Sequence, residues 1–424
     1  MIKHIAGSVL FLTLGLGLSR FIVLLVFLMA SNVLSVEGFA SLSLLVLSGT
    51  FLTYVFTFGL NIGLLKYSSN IEKSSEAECL AICRFAFKII ISALFLVALI
   101  AASSGWLDIL VEYNPKIFGN KARVCGLLAF VILGIYKVQY TSILTGLKNF
   151  KAIFIANVLE AFALLPGLWA SKTVEDIFVF LCVSSLVSCI YLAIKTNNIV
   201  AYITLNFSTI SLKFPVIIMN CLSFYFAGLM SMGTVWVSQA VFFSSSIDLE
   251  EFAKFSFAFR IYTPFIFLFT VVAMAILPYI ANKNIKHLNE VRDFIIRPII
   301  LIFVLGVISA ACVYVFYGQI AVYFDLKYKE LAGILGILIL AASVQGAVKI
   351  MVNKMIADVN SNGNLIGEIF FSTTLLSSVF IVWYNNLLSA TLFSLIILSA
   401  YLVSCISYST IIRVQYRAVM EKHW

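Results

Sequence analysis

The sequence predicts an all-α membrane protein of about twelve transmembrane helices, arranged as two six-helix lobes with both termini in the cytoplasm. Composition is the first reason. Of 424 residues, 62% are hydrophobic and 11% charged, with a mean hydropathy of +1.08, whereas a soluble domain carries roughly a quarter charged residues. The 38 Phe and 18 Tyr run along the whole length, so no separate water-soluble domain is indicated. Spacing is the third reason: apolar segments recur at close to the ~20 residues that a helix needs to cross the hydrocarbon.

The first span, 8–30, follows the polar start Met1 to His4. It is too long for a signal-peptide core and is interrupted by Arg20, so it is read as retained. The second, 39–65, contains Gly59 and Gly63 at GxxxG spacing, a close-packing motif. Spans at 86–104 and 123–145 follow, then 152–170, interrupted by Pro166, and 177–194. The second set occupies 214–241, 255–281, 298–318, 331–356, 365–383 and 389–411. Pro264 and Pro278 fall in the eighth span, and Gly15 and Gly17 precede Arg20 in the first, positions where a helix can bend. Residues 1–194 form the N-terminal six-helix lobe, 195–213 a polar cytoplasmic connection, and 214–424 the C-terminal six-helix lobe with a short cytoplasmic tail. Six being even, the two lobes have the same topology and relate by an axis along the membrane normal.

Orientation follows from Lys and Arg, which are retained on the cytoplasmic side. With the N-terminus inside, 17 fall on cytoplasmic segments and seven on the opposite side, while four lie within spans. Trp106, Trp169, Trp236 and Trp383 fall at or near the outer ends of spans, where tryptophan favours the interface.

The formal charge of +9 and pI near 9.0 follow from that same bias, and no nucleic-acid partner is implied. The Cys are mostly inside apolar runs, and the one close pair, Cys79 and Cys83, lacks a His or a second pair at zinc spacing. No metal or cofactor is expected. The three His lie in predicted cytoplasmic loops or termini, and Gly-rich phosphate loops, HExxH and GxSxG are all missing. An enzyme, or ATP-driven action by this chain alone, is therefore not expected.

Six ionisable residues fall inside spans, three or more residues from either end: Arg20, Lys137, Glu160, Arg260, Lys349 and Glu368. Such a side chain at mid-bilayer costs about 2.5–3.5 kcal/mol on insertion scales, so those present are candidates for a cavity or transport pathway. Arg20 and Lys137 lie deep in their spans, and Glu160 and Lys349 at intermediate depth. Arg260 lies near an outer end and Glu368 near an inner end, where cavity lining and interfacial anchoring both stay open. Arg20, Lys137, Arg260 and Lys349 are candidate substrate-binding residues, and Glu160 and Glu368 candidates for proton or sodium coupling. The sum is net positive, which suits an anionic ligand; a lipid with a phosphate or pyrophosphate head is one such ligand, since arginine can grip phosphate oxygens bidentately. The fourth helix of each half carries a Lys and the next a Glu (Lys137 and Glu160, Lys349 and Glu368), which reads as an internal repeat.

Gly38 to Asn70, GFASLSLLVLSGTFLTYVFTFGLNIGLLKYSSN, and Thr141 to Asn157, TSILTGLKNFKAIFIAN, resemble the second span and the fourth-to-fifth turn of polysaccharide flippases of the Wzx type, within the multidrug/oligosaccharidyl-lipid/polysaccharide exporter superfamily. The resemblance implies two MATE-like lobes around a V-shaped cavity open alternately to each side. It implies as substrate an undecaprenyl-pyrophosphate-linked O-antigen repeat unit, moved from the cytoplasmic to the periplasmic leaflet of a bacterial inner membrane. Polymerase and chain-length proteins of the same pathway would be partners. Related lipid II flippases carry functional arginines in their first and eighth spans, and Arg20 and Arg260 occupy similar places. Two other functions compete: a multidrug cation antiporter of the same fold, which generally needs acidic cavity residues, and an integral-membrane glycosyltransferase or O-unit polymerase. For the last, the first external loop offers only Glu37.

Overall fold

A computed structural model describes residues 2–68, 74–103, 111–112, 118–200, 207–245, 249–282, 295–323, 331–357 and 361–421. The chain divides into two compact units, Met1–Tyr225 and Phe226–Trp424.

The first unit holds α1 (Ile2–Val33), α2 (Val36–Thr57), α3 (Leu60–Ser68), α4 (Ser74–Ser103), α5 (Lys121–Gly146), α6 (Phe150–Leu164), α7 (Gly167–Ala170) and α8 (Val174–Val200). Next comes α9 (Phe207–Ser245), within which the division falls. The second unit continues with α10 (Leu249–Asn282), α11 (Arg297–Tyr323), α12 (Ala332–Ala357), α13 (Ser361–Tyr384) and α14 (Ala390–Glu421). Taking α2 with α3 and α6 with α7, these make the twelve rods expected. Among the described residues ten helices are long and apolar enough to span a bilayer. The exceptions are α1, whose qualifying apolar part is Gly17–Val33, and α6, which has 15 residues. Residues 195–200 and 207–213 of the expected interlobe connection are helical, and 201–206 lie outside the described residues. His287, His423 and Trp106 also lie outside them.

In both units the fourth rod is the hub. Helix α5 packs against α2, α3, α4, α6 and α8, while α12 packs against α10, α11, α13 and α14. The hub of the second unit buries 72% of its spanning window, against 17% for α11, whose side chains face outward. Where apolar solvent surrounds the protein, close approach rather than hydrophobic exclusion holds helices together, and small residues permit it. A β-carbon on Gly146 of α5 would stand 2.5 Å from the Leu65 carbonyl oxygen of α3, so that crossing requires glycine.

Helix ends are closed by side chains aimed at the otherwise orphaned backbone N–H groups. Ser35 accepts from the Gly38 N–H at 3.1 Å, and Asn120 from the Arg123 N–H at 3.0 Å. Thr173 and Asp176 cap reciprocally at the start of α8, with Asp176 accepting from the Thr173 N–H at 3.0 Å and Thr173 from the Asp176 N–H at 3.2 Å. The Arg123 Nε donates to Glu175 Oε1 at 2.8 Å and ties the starts of α5 and α8 together.

Two sequence expectations are corrected. The second span is not one helix over 39–65. Phe58 (φ 46°) and Gly59 (φ 70°) adopt left-handed backbone, which ends α2 and restarts the chain as α3. Aromatic contacts hold this break. The Tyr225 hydroxyl donates to the Val55 carbonyl at 2.9 Å, and its ring stacks on Tyr54 with centroids 6.0 Å apart. Gly59 and Gly63 therefore do not share a helical face: Gly59 makes the break, and Gly63 is buried in α3. The eighth span stays helical through Pro264 and Pro278. Finally, α13 begins at Ser361, about one turn before the expected start, so Glu368 is not at the end of its helix.

Candidate functional site

The two Lys–Glu sets occupy equivalent hairpins. Lys137 lies nine residues before the end of α5, and Glu160 ten residues after the start of α6. Lys349 lies eight before the end of α12, and Glu368 seven after the start of α13. In each set the two positions therefore lie at similar distances along their helices from the facing helix ends. At about 1.5 Å per residue those distances are ~10–15 Å, close to half of a ~30 Å hydrocarbon core.

In the first unit the pair is closed. The Lys137 ammonium donates to Glu160 Oε2, with side-chain exposures of 28% and 10%. Cys189 of α8 lies close enough to feel both charges. Nearby in sequence, Gln139 Oε1, Asn157 Nδ2 and Ser188 Oγ are buried and make no hydrogen bond among the described residues. Polar groups so placed in an apolar surround are costly and point to a polar interior along α5, α6 and α8.

In the second unit the pair is open. Lys349 and Glu368 act on each other electrostatically but form no ion pair, and Lys349 makes no hydrogen bond among the described residues. Glu368 instead sits against two hydroxyls. Tyr408 of α14 stands 3.3 Å from Glu368 Oε1, and Ser231 of α9 hydrogen-bonds the same carboxyl. The Tyr408 hydroxyl also lies 3.0 Å from the Asn364 carbonyl oxygen and 2.9 Å from Asn364 Oδ1. One turn along α12 from Lys349, Gln345 Oε1 accepts from the Tyr262 hydroxyl at 2.9 Å, and Tyr262 is hydrogen-bonded in turn to Tyr401. Five helices thus contribute polar side chains to one buried network.

Arg20 is not part of either cluster. Arg20 is exposed on α1 and makes no hydrogen bond or ion pair among the described residues, and Arg260 is half-buried on α10. Among the described residues no group of three or more His, Cys, Asp or Glu is placed to hold a metal.

Comparison with known proteins adds the architecture. No family model matches the sequence, and no curated protein matches it. Solved structures do match. An inward-facing multidrug resistance MATE family transporter of the MOP superfamily superposes with a TM-score of 0.74 at 13% identity, covering 97% of this chain and 99% of that one. A MATE protein in complex with MaL6 gives a TM-score of 0.73 at 14% identity, covering 99% and 97%. The chain has a MATE-like fold. A third neighbour, from Pyrococcus furiosus, is a MOP superfamily transporter described as having a binding pocket of reverse polarity; it matches with a TM-score of 0.69 at 14% identity, covering 99% and 96%. The MATE-like fold is the one implied by the sequence resemblance, and it gives a multi-pass membrane protein.

Sequence reasoning found the four charged members of the two sets but missed Ser231, Tyr262, Gln345, Asn364, Tyr401 and Tyr408. A signal was present. Gln345 and Lys349, and Asn364 and Glu368, are four apart, and Tyr401 and Tyr408 seven apart, so each pair lines one face of an otherwise apolar helix.

Proposed function

We propose that the protein is a transporter of lipid-linked oligosaccharides, moving undecaprenyl-pyrophosphate-linked repeat units across a bacterial inner membrane by alternating access, with both termini in the cytoplasm. The observation that carries this reading is the Lys349 side chain, with no hydrogen bond or ion pair among the described residues, in the middle of the most buried spanning helix. A positive charge in such a place costs about 2.5–3.5 kcal/mol, and an anionic ligand would offset that cost. The sign of the whole set agrees, with Arg20, Lys137, Arg260 and Lys349 against Glu160 and Glu368. The neighbour described as having a binding pocket of reverse polarity, suggesting a different function, supports a reading in which pocket polarity differs between proteins of this architecture.

The test is transport in proteoliposomes. Purified protein should carry a fluorescent pyrophosphate-linked oligosaccharide into the leaflet protected from an impermeant quencher, and Lys349→Gln should abolish the protection. Wild-type liposomes that behave as empty ones sink the proposal. In cells lacking redundant flippases, deletion should abolish surface polysaccharide.

A second reading is favoured by the neighbours themselves, one of which is a multidrug resistance transporter. Under it the acidic residues bind cations or protons, and Glu160→Gln removes protection against toxic dyes. Dye efflux abolished by that change, with no lipid transport, selects it.

A further inference from the structure

Away from the two Lys–Glu sets, the first unit carries an arginine whose hydrogen-bonding capacity is mostly unused. Arg84 of α4 is half-buried, and its Nη2 donates to Asn197 Oδ1 of α8 at 3.1 Å. That is its one hydrogen bond among the described residues, and its Nε is buried without a partner. A guanidinium holds five N–H groups in a planar fork shaped for an oxyanion, so most of them are left over. Two further donors stand by it. Tyr140 of α5 lies close enough for the two groups to act on each other electrostatically, and its hydroxyl makes no hydrogen bond among the described residues. Lys88, one turn along α4, is exposed and makes no hydrogen bond or ion pair among the described residues. Helical side chains lean towards the start of their helix, which takes Lys88 towards Arg84. Among the described residues the acid nearest in sequence is Glu78, about 120° away around the helix.

These groups share the level at which a bilayer places its phosphates. Asn197 is the last residue of the spanning part of α8, Val174–Asn197. Arg84 stands six residues into that of α4, Glu78–Ile100, and Tyr140 six residues before the end of that of α5, Lys121–Gly146. Six residues are about 9 Å, a depth from which a long amphipathic side chain reaches the headgroups. Beyond them the surface is apolar. On α4 the face that carries Arg84 and Lys88 continues through exposed Phe95 and Leu99, and on α8 the face of Asn197 continues through exposed Ile194, Ile190 and Leu186, at spacings that keep to one side of each helix. Both helices pack on α5. A phosphate at Arg84 thus has two apolar faces running from it into the bilayer, which acyl chains need and a free phosphate does not.

From this arrangement we infer that Arg84, Lys88 and Tyr140 form a binding site for one anionic phospholipid of the membrane. Its phosphate accepts from the guanidinium and the phenol, and its acyl chains lie along α4 and α8. Asn197 positions the guanidinium. Two cations with no acid on their face of α4 select a headgroup of net negative charge over a zwitterionic one. The inference is independent of what the protein transports.

The experiment is native mass spectrometry of the delipidated full chain, titrated with phosphatidylglycerol or with phosphatidylcholine of the same acyl chains, which counts bound lipids and gives their affinities. Wild-type protein should hold one phosphatidylglycerol more tightly than any phosphatidylcholine. Arg84→Gln should weaken that lipid by about tenfold or more, as a charge-assisted contact is removed. Arg84→Lys should recover only part of the loss, because an ammonium keeps the charge and lacks the fork. Lys88→Gln, at an exposed position, should weaken binding by about fivefold, and this arm serves if Arg84→Gln does not fold. Lys172→Gln, exposed at the opposite end of α8, removes the same charge and should leave the affinity unchanged. Inorganic phosphate in large excess should not displace the lipid. Wild-type affinity in folded Arg84→Gln, or in Lys88→Gln where that variant has to serve, overturns the site, as does an equal loss in Lys172→Gln. Equal affinity for phosphatidylcholine overturns the assignment to an anionic lipid, and displacement by inorganic phosphate overturns the assignment to a lipid in favour of a free phosphate.

Discussion

The β-carbon that Gly367 lacks would stand 2.2 Å from Cζ of Tyr408. The ring occupies the space a side chain would need, and this brings its hydroxyl to Asn364 and Glu368. Gly367→Ala must therefore push an entirely buried tyrosine out of its place. Overpacking of this kind costs about 1–3 kcal/mol. Detergent-solubilised Gly367→Ala should unfold at lower temperature than wild type, and unchanged stability would mean that the α13–α14 contact yields more readily than its geometry implies.

Lys137 and Glu160 should behave as one unit. Removing either partner leaves a charge in the interior of the first unit, whereas removing both leaves none. In a double-mutant cycle of Lys137→Met and Glu160→Gln, the coupling should be about 1–3 kcal/mol, with the double variant more stable than the sum of the single changes predicts. Additive effects would show that the pair contributes nothing as a pair.

Lys349 should separate binding from folding. It makes no hydrogen bond or ion pair among the described residues, so Lys349→Gln removes a buried charge without orphaning a hydrogen-bond partner. We expect thermal stability equal to or above that of wild type and transport near the background of empty liposomes. Normal transport would make Lys349 structural.

The break between α2 and α3 should respond in opposite ways to two neighbouring changes. Phe58 holds φ at 46° and Gly59 at 70°, a region that costs a side-chain-bearing residue roughly 1–2 kcal/mol. Phe58→Gly should relieve part of that cost, against the loss of its contact with the Tyr225 ring at 5.9 Å. Gly59→Ala should add a comparable cost. Tyr225→Phe, which leaves the Val55 carbonyl without that hydroxyl donor, should destabilise by about 0.5–1.5 kcal/mol. The order of unfolding temperatures among the three variants, read in one detergent, checks the assignment; Gly59→Ala as stable as wild type would contradict it.

Much of this architecture was legible in the residues. The hydrocarbon core demands a run of about 20 apolar residues with its backbone satisfied internally, and that demand is met locally, so hydropathy alone locates the rods and excludes strands. The same locality explains why Lys137, Glu160, Lys349 and Glu368 stood out: a charge inside such a run is visible wherever its partner lies. Their similar distances from the facing helix ends also follow from counting along each helix.

Other features depend on partners far away in sequence. The α2–α3 break is held by Tyr225, more than 160 residues beyond Val55, and its local mark between Phe39 and Leu65 is Gly59. Pro264, the local breaker, leaves α10 continuous. The difference between the two Lys–Glu sets is of the same kind. Residue by residue they are alike, but Glu160 meets an ammonium and Glu368 meets Tyr408 and Ser231. Hydropathy and helical period are properties of a segment, while the state of a buried carboxyl depends on which donors other helices bring within about 3 Å of it. The twelve rods and the positions of their charges belong to the sequence; which of those charges are paired, and which are not, emerges when the helices pack.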